Sequence, residues 1–194
     1  MITAQDCKKQ AKQALSEKRY RHTLNVAKMA KQLCKAHNID PQKAEIAALL
    51  HDYMKEQPKD VLLQLMNENV IIAGNAASKP PCVWHGVCAA ITAKNKFGIE
   101  DKEILSAMCC HTCGKENMSV LDKIIFLADM VSEERDFLGV KELRALAMQS
   151  LDDAMIKALQ MNIGWLEEEN RPVDEDSRAA LDFLIRSKKE KTSE

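Results

Sequence analysis

The sequence predicts an all-α domain of roughly eight or nine helices with essentially no sheet, and three observations carry that expectation. Alanine, leucine, lysine and glutamate are abundant, whereas glycine (6) and proline (5) are scarce, a mixture that favours helices. Apolar residues recur at helical spacing between recognisable cap signals. No stretch sustains the period-two alternation of β-branched residues that marks a strand. With 194 residues the chain is long enough for one domain with a sizeable core, expected over 1–188 with a frayed tail at 189–194.

The elements follow in order. Val26, Ala30, Leu33 and His37 form one stripe of a helix from Thr23 to His37, with Asn38 at its end. Asp40-Pro41 supplies an N-cap side chain and a proline at the first helical position. Ala44, Ala47, Leu50 and Met54 continue that helix until Pro58 limits it. Lys79-Pro80-Pro81 marks a loop, and Trp84 to Phe97 is a helix closed by Gly98. Asp101 caps a helix running towards His111. Ser119 and Asp122 resemble a capping box ahead of Ile124, Ile125, Leu127 and Ala128. Ser150 caps a long helix through Glu169, ended by Asn170 and Pro172, and a last helix runs from about Glu175 to Lys188. There is no internal repeat and no low-complexity linker.

Composition bounds the function. Apolar residues make up 46% and charged residues 29%, as in ordinary globular proteins. A net charge of −1 gives no electrostatic case for nucleic acid or an anionic membrane as partner. No segment approaches the roughly 20 apolar residues of a membrane span. Met1 to Lys12 lacks the apolar centre of a signal peptide, so a cytoplasmic location is expected. The seven cysteines form no even framework and are read as reduced thiols. Cys109, Cys110 and Cys113 flank His111, but Cys110-x-x-Cys113 has no second pair and a structural zinc needs four ligands. Buried or incidental thiols are the better reading, with any further role left open.

Four of the five histidines, His22, His51, His85 and His111, fall near predicted helix ends or in polar settings. His37 is the bland case, one residue before a helix end, where a cation is favoured. Asp52 follows His51 directly, and Asp129 interrupts the apolar run Ile124 to Val131. A buried carboxylate needs a partner, and a bound cation would supply one. Asp129 alone could equally be a polar cap or a partner for Arg135. Imidazole and carboxylate together suit iron, manganese or zinc. Neighbouring helical residues point about 100° apart, so His51 and Asp52 both reach one site only near a helix end. Lys55, four residues beyond His51, shares its face and could contact a phosphate, or else be a solvated surface lysine.

The order His22 … His51-Asp52 … Asp129 resembles the signature of the HD-domain phosphohydrolases. Further stretches resemble one bacterial subgroup, the YqeK-like symmetrical bis(5′-nucleosyl)-tetraphosphatases: Arg21 to Ala27, Ala47 to Glu56, Trp84-His85-Gly86, His111 to Gly114, Met118-Ser119 and Lys123 to Asp129. The similarity extends from about Arg19 to Arg178. The resemblance implies a dinuclear divalent metal site, with iron expected and manganese or another divalent metal as alternatives. His22, His51, Asp52 and Asp129 would hold the first ion. His85 and His111 would hold the second, with Asp52 bridging, and both histidines would also face substrate. It implies cleavage of diadenosine tetraphosphate in the middle to two ADP, by hydroxide held between cations about 3.5–4 Å apart. His51, Asp52 and Lys55 would carry the chemistry. Arg19, Lys55, Thr112, Arg135 and Arg178 would contact phosphate or nucleotide. A homodimer is compatible with the sequence, which does not fix the oligomeric state.

Two segments depart from the subgroup. Its Glu-Pro-x-Arg is here Ser132-Glu133-Glu134-Arg135, which puts the loop shape in question. Near the C-terminus Pro172 and Arg178 match, but Asp174 and Ala179 do not, and an aspartate there would repel phosphate. Two other functions compete: an HD-type nucleotidase or phosphodiesterase with a different substrate, and a non-catalytic metal- and nucleotide-binding sensor.

Overall fold

A computed structural model describes residues 2–192. Eleven α-helical segments and two 3-10 turns occur among the described residues, joined by turns and loops, with no strand among them. The order is α1 (Ala4–Ala14), α2 (Glu17–Ala36), α3 (Pro41–Leu50), α4 (Lys59–Glu68), α5 (Val70–Ala73), α6 (Trp84–Phe97), α7 (Lys102–Cys110), α8 (Val120–Met130), α9 (Val140–Gln149), α10 (Leu151–Glu168) and α11 (Glu175–Thr192). The all-α expectation holds, with a helix count slightly above the predicted one. Of the expected tail at 189–194, residues up to Thr192 continue α11, and 193–194 lie outside the described residues, as does Met1.

The caps read from sequence are made. Asp40 accepts from the Gln42 N–H with Pro41 at the first position, and Asp101 accepts from Glu103 and Ile104. Ser119 and Asp122 close a reciprocal capping box, and Ser150 accepts from Asp153. Four helices lie outside the sequence expectation: α1, α4, the single-turn α5 and α9. In α1 a Thr3–Asp6 capping box precedes Cys7 and Ala11, both buried. Pro58, read as the end of one helix, is the N-cap of the next, α4. α9 starts after Gly139 with no side-chain cap. In addition, α3 stops at Leu50 rather than running on to Met54, and irregular turns carry the chain from His51 to Gln57.

α8 is the hub, packed against α2, α3, α7 and α10. Ile124, Ile125, Phe126, Leu127 and Ala128 are all buried, so this helix is apolar on every side, as a central helix must be. A second, smaller apolar cluster of Leu62, Met66, Ala73, Ala76, Trp84, Cys88 and Ile91 joins α4, α5 and α6. Among the described residues no helix is long and apolar enough to cross a membrane. Leu127 is fully enclosed by the main core. Leu127→Ala should therefore cost about 2–5 kcal/mol in urea denaturation, whereas Val120→Ala on the exposed first turn of α8 should stay within about 0.5 kcal/mol.

Candidate metal centre

The site lies where five helices bring polar residues to one point. His22 comes from the second turn of α2, His51 and Asp52 from the end of α3, His85 from the start of α6, His111 from the end of α7 and Asp129 from the last turn of α8. The last carbonyls of a helix lack intrahelical partners, and His51 and His111 stand at such ends. The His51 Nδ1 donates to the Ala48 carbonyl at 2.7 Å and the His111 Nδ1 to the Met108 carbonyl at 2.8 Å. The His85 Nδ1 does the same to Cys82 at 3.0 Å, again three residues earlier. Each bond fixes the ring and its tautomer and leaves Nε2 as a bare acceptor aimed inward. The His22 Nδ1 is held instead by the Glu134 carboxylate.

Asp52 sits at the centre with its two oxygens facing different partners. Oδ2 lies 3.6 Å from His22 Nε2 and 3.5 Å from His51 Nε2, while Oδ1 lies 3.1 Å from His85 Nε2 and 3.7 Å from His111 Nε2. Asp129 Oδ1 is 3.0 Å from His22 Nε2. His22 Nε2 and His51 Nε2 are buried without a hydrogen-bond partner. His85 Nε2 and His111 Nε2 lie only 3.1 Å apart, an arrangement in which two lone pairs face each other. Two groupings, His22–His51–Asp129 and His51–Asp52–His111, have ligand atoms within 4.8 Å of one another. This donor set fits a divalent transition metal, because converging Nε2 atoms and carboxylate oxygens are what such a cation would satisfy.

The electrostatics point the same way. Burial works against charge on Asp52, yet the imidazoles of His51, His111 and His85 hold its carboxyl well below the ordinary value. Burial likewise opposes charge on Asp129, and His22, His51 and Arg135 overcome it. Burial disfavours the His51 imidazolium, but Asp52 and Asp129 outweigh it and raise its pKa. For His85 burial wins over Asp52 and lowers it to about 4, so this ring is neutral near pH 7.

The surrounding residues are placed as follows. Lys55 Nζ reaches 3.2 Å from His85 Nε2. Arg19 donates to Asp52 Oδ2 at 2.9 Å. Arg135 grips Asp129 twice, through the backbone carbonyl at 3.0 Å and Oδ1 at 2.5 Å. Lys55, His111, Thr112, Asp129, Arg135 and Arg171 line a cavity of 370 Å³ beside the centre. Arg178 is not in that lining; it pairs with Glu167 at 2.7 Å. His37 ends α2 and bonds the Ala147 carbonyl, a structural role.

The departures from the subgroup pattern also find their explanation. Without a proline, the turn after α8 is closed by the Arg135 N–H on the Ser132 carbonyl and braced by Arg144 on the carbonyls of Val131 and Ser132. Asp174 is buried and paired with Lys79, so it does not face phosphate. Lys79 also pairs with Asp176, and this ammonium serves the grouping Cys113–Asp174–Asp176. All seven cysteines are free, and burial pushes Cys109 up to about 12 and Cys113 to about 11, leaving both as thiols at neutral pH.

Sequence reasoning missed two features. In the sequence Glu134 bears only on loop shape, yet it orients His22 and is itself fixed by Ser132 Oγ at 2.9 Å and Asn25 Nδ2 at 2.7 Å. Gly86 follows His85 inside α6, and a Cβ there would meet the Met108 carbonyl at 2.9 Å and the His111 ring at 3.1 Å. Its bare backbone lets α6 lie against His111.

Two outcomes are expected. Glu134→Ala should weaken metal binding about 10–100-fold, measured by competition with a chromophoric chelator, with helical circular dichroism unchanged. In metal-free protein the unfolded chain takes up a proton near pH 6.5 that folded His85 resists until about pH 4. Stability should thus fall as pH drops from 6.5 towards 4, by about 3 kcal/mol at most, and His85→Asn should flatten that limb. His51, raised in the folded state, acts oppositely: its contribution is full below pH 6.5 and is lost as pH rises through its folded value.

The HD domain family model matches residues 19–134. The chain is 37% identical over 180 residues to a protein of Halalkalibacterium halodurans named symmetrical bis(5′-nucleosyl)-tetraphosphatase, covering 90% of this chain and 93% of that one. It is 35% identical over 174 residues to the Bacillus subtilis protein of the same name, with the same two coverages of 90% and 93%. A crystal structure described as a predicted HD superfamily hydrolase involved in NAD metabolism, from Clostridium acetobutylicum, superposes with a TM-score of 0.91 at 32% identity, covering 96% of this chain and 99% of that one. The chain belongs to the HD domain family, in the branch of the symmetrical bis(5′-nucleosyl)-tetraphosphatases.

Proposed function

We propose that this chain is a metal-dependent hydrolase that cuts diadenosine tetraphosphate symmetrically into two ADP. The observation that carries the reading is the divided environment of Asp52, each oxygen facing its own pair of imidazole Nε2 atoms. That division suits two cations, held by His22, His51, Asp52 and Asp129 on one side and by His85, His111 and Asp52 on the other. Iron is the expected metal, with manganese or another divalent ion able to replace it, since imidazole–carboxylate sets do not discriminate strongly. Metals bound there would supply a nucleophile at neutral pH and neutralise phosphate charge.

The protein's own groups do the rest. Lys55 and Arg135 project into the cavity beside the centre and would hold the central phosphates in line. Arg135 offers a planar fork that matches phosphate oxygens, and Lys55 a mobile point charge that can follow the leaving oxygen. Arg19, now on Asp52, offsets negative charge as an anionic substrate approaches. Thr112 stands at the wall of the cavity and would offer its hydroxyl to a phosphate oxygen. Arg178 would act only indirectly, through Glu167. A cytoplasmic location accords with this reading, since the substrate class and reduced thiols belong to that compartment.

The test is hydrolysis of diadenosine tetraphosphate by anaerobically purified protein of known metal content, with products resolved by chromatography. ADP as the single product is expected, and AMP plus ATP would reject symmetric cleavage. Metal and nucleotide bound without turnover would favour a sensor. Asp52→Asn and His51→Ala should abolish turnover without loss of helical circular dichroism. Lys55→Ala should lower kcat about 10²-fold; undiminished activity in any of the three would overturn the assignment of the site.

A further inference from the structure

The cavity beside the metal centre does not end at the phosphate-facing cations. Met130, Arg135, Phe137, Asn162 and Trp165 line both this cavity and a neighbouring groove of 750 Å³. Among the described residues lining the inner cavity, Asp129 is the sole acid, against Lys55, Arg135 and Arg171. The inner space is therefore set for phosphate and the outer one for something flat and apolar.

Three features of the groove converge. Trp165 on α10 leaves 49% of its surface exposed, unlike Trp84, which is buried with its Nε1 bonded to the Lys79 carbonyl. The Arg171 guanidinium lies over the Trp165 ring, 4.9 Å from its centroid. Local backbone puts it there: Asn170 takes a left-handed φ of 51°, and the Arg171 N–H folds back to the Leu166 carbonyl at 2.8 Å. Finally, Gly164 stands inside α10, where glycine is the poorest helix former after proline. A Cβ at 164 would meet nothing within 4 Å, so packing does not demand the glycine, and it lies in the groove wall. Its missing side chain keeps the space beside Trp165 open.

We propose that Trp165, backed by Arg171, is the stacking platform for one nucleobase of the substrate. The proposal rests on a nucleoside polyphosphate occupying the metal centre. With its phosphates at Lys55 and Arg135, the nucleoside leaves the inner cavity past Phe137 and Asn162 and lays its base against the indole. Every purine and pyrimidine presents a π-face, so the platform selects nucleotides over bare polyphosphate rather than one base over another. Arg171 holds the indole from one side and adds a cation near the sugar-phosphate.

The experiment titrates ADP and, separately, inorganic pyrophosphate into manganese-loaded protein, following tryptophan emission and calorimetric affinity. Trp84 is shielded, so quenching reports Trp165. ADP should quench and pyrophosphate should not. Trp165→Ala should weaken ADP binding at least about tenfold, the usual cost of losing a base–aromatic stack, while pyrophosphate affinity stays unchanged; Trp165→Phe should restore most of it. Equal emission changes with both ligands in the wild-type protein would overturn the proposal, as would Trp165→Ala binding ADP as tightly as wild type. The two readings fail separately. Normal cleavage of diadenosine tetraphosphate with no ADP-specific quench removes the platform alone. An ADP-specific quench without any cleavage keeps the platform and removes the hydrolase.

Discussion

One buried carboxylate organises this molecule. Asp52 is enclosed and ionised, and a charge in that position is tolerated only with compensating partners on every side. Four imidazoles and Arg19 provide them. The imidazoles are available because α3 and α7 end just where they do. A helix end leaves carbonyls without partners, and a histidine at the end satisfies one of them through Nδ1. The same bond commits Nε2 to the interior. Termination of the helix and orientation of the imidazole are thus a single event in the backbone. Gly86 adds the remaining requirement, since without its close approach α6 could not bring His85 beside His111.

Around this centre the charges are arranged in layers. Glu134 and Arg135 are adjacent in sequence but serve different candidate ligands, the first holding His22 and the second Asp129. A short turn braced by Arg144 sets both. Further out, Lys79 neutralises Asp174 and Asp176, which removes a negative group from the neighbourhood of an anionic substrate. The result is an inner cluster of imidazoles and carboxylates suited to cations, beside a cavity whose wall of bases is suited to phosphate.

Much of this was legible in the sequence because it is local. Cap residues such as Asp40, Asp101, Ser119 and Ser150 act within three positions of themselves, and His51-Asp52 signals its helix end through the geometry of adjacent residues. Helices with weaker punctuation escaped: α9 begins on a glycine without a side-chain cap, and Pro58 was spent on ending one helix when it also begins another. Contacts between distant residues gave no local sign. Glu134 and His22 are 112 positions apart, and nothing in either segment announces the pairing. Arg178 shows the converse, a position that matches a pattern yet turns to Glu167, because the neighbouring side chain and not the motif decides where a flexible arginine goes. The Arg171–Trp165 contact depended on a left-handed Asn170, which sequence marked only as a stop.

The six candidate ligands are drawn from α2, α6, α8 and the ends of α3 and α7, so they converge only when the whole bundle is assembled. A cation held by them would bind the folded chain and have no equivalent grip on the unfolded one. By mass action it would then act as a reversible cross-link among five helices, contributing about 2.7 kcal/mol when free metal exceeds its dissociation constant a hundredfold. The cell's metal supply would in that way govern how long each copy survives proteolysis as well as how fast it works, and a metal-starved cell would lose the protein itself along with its activity.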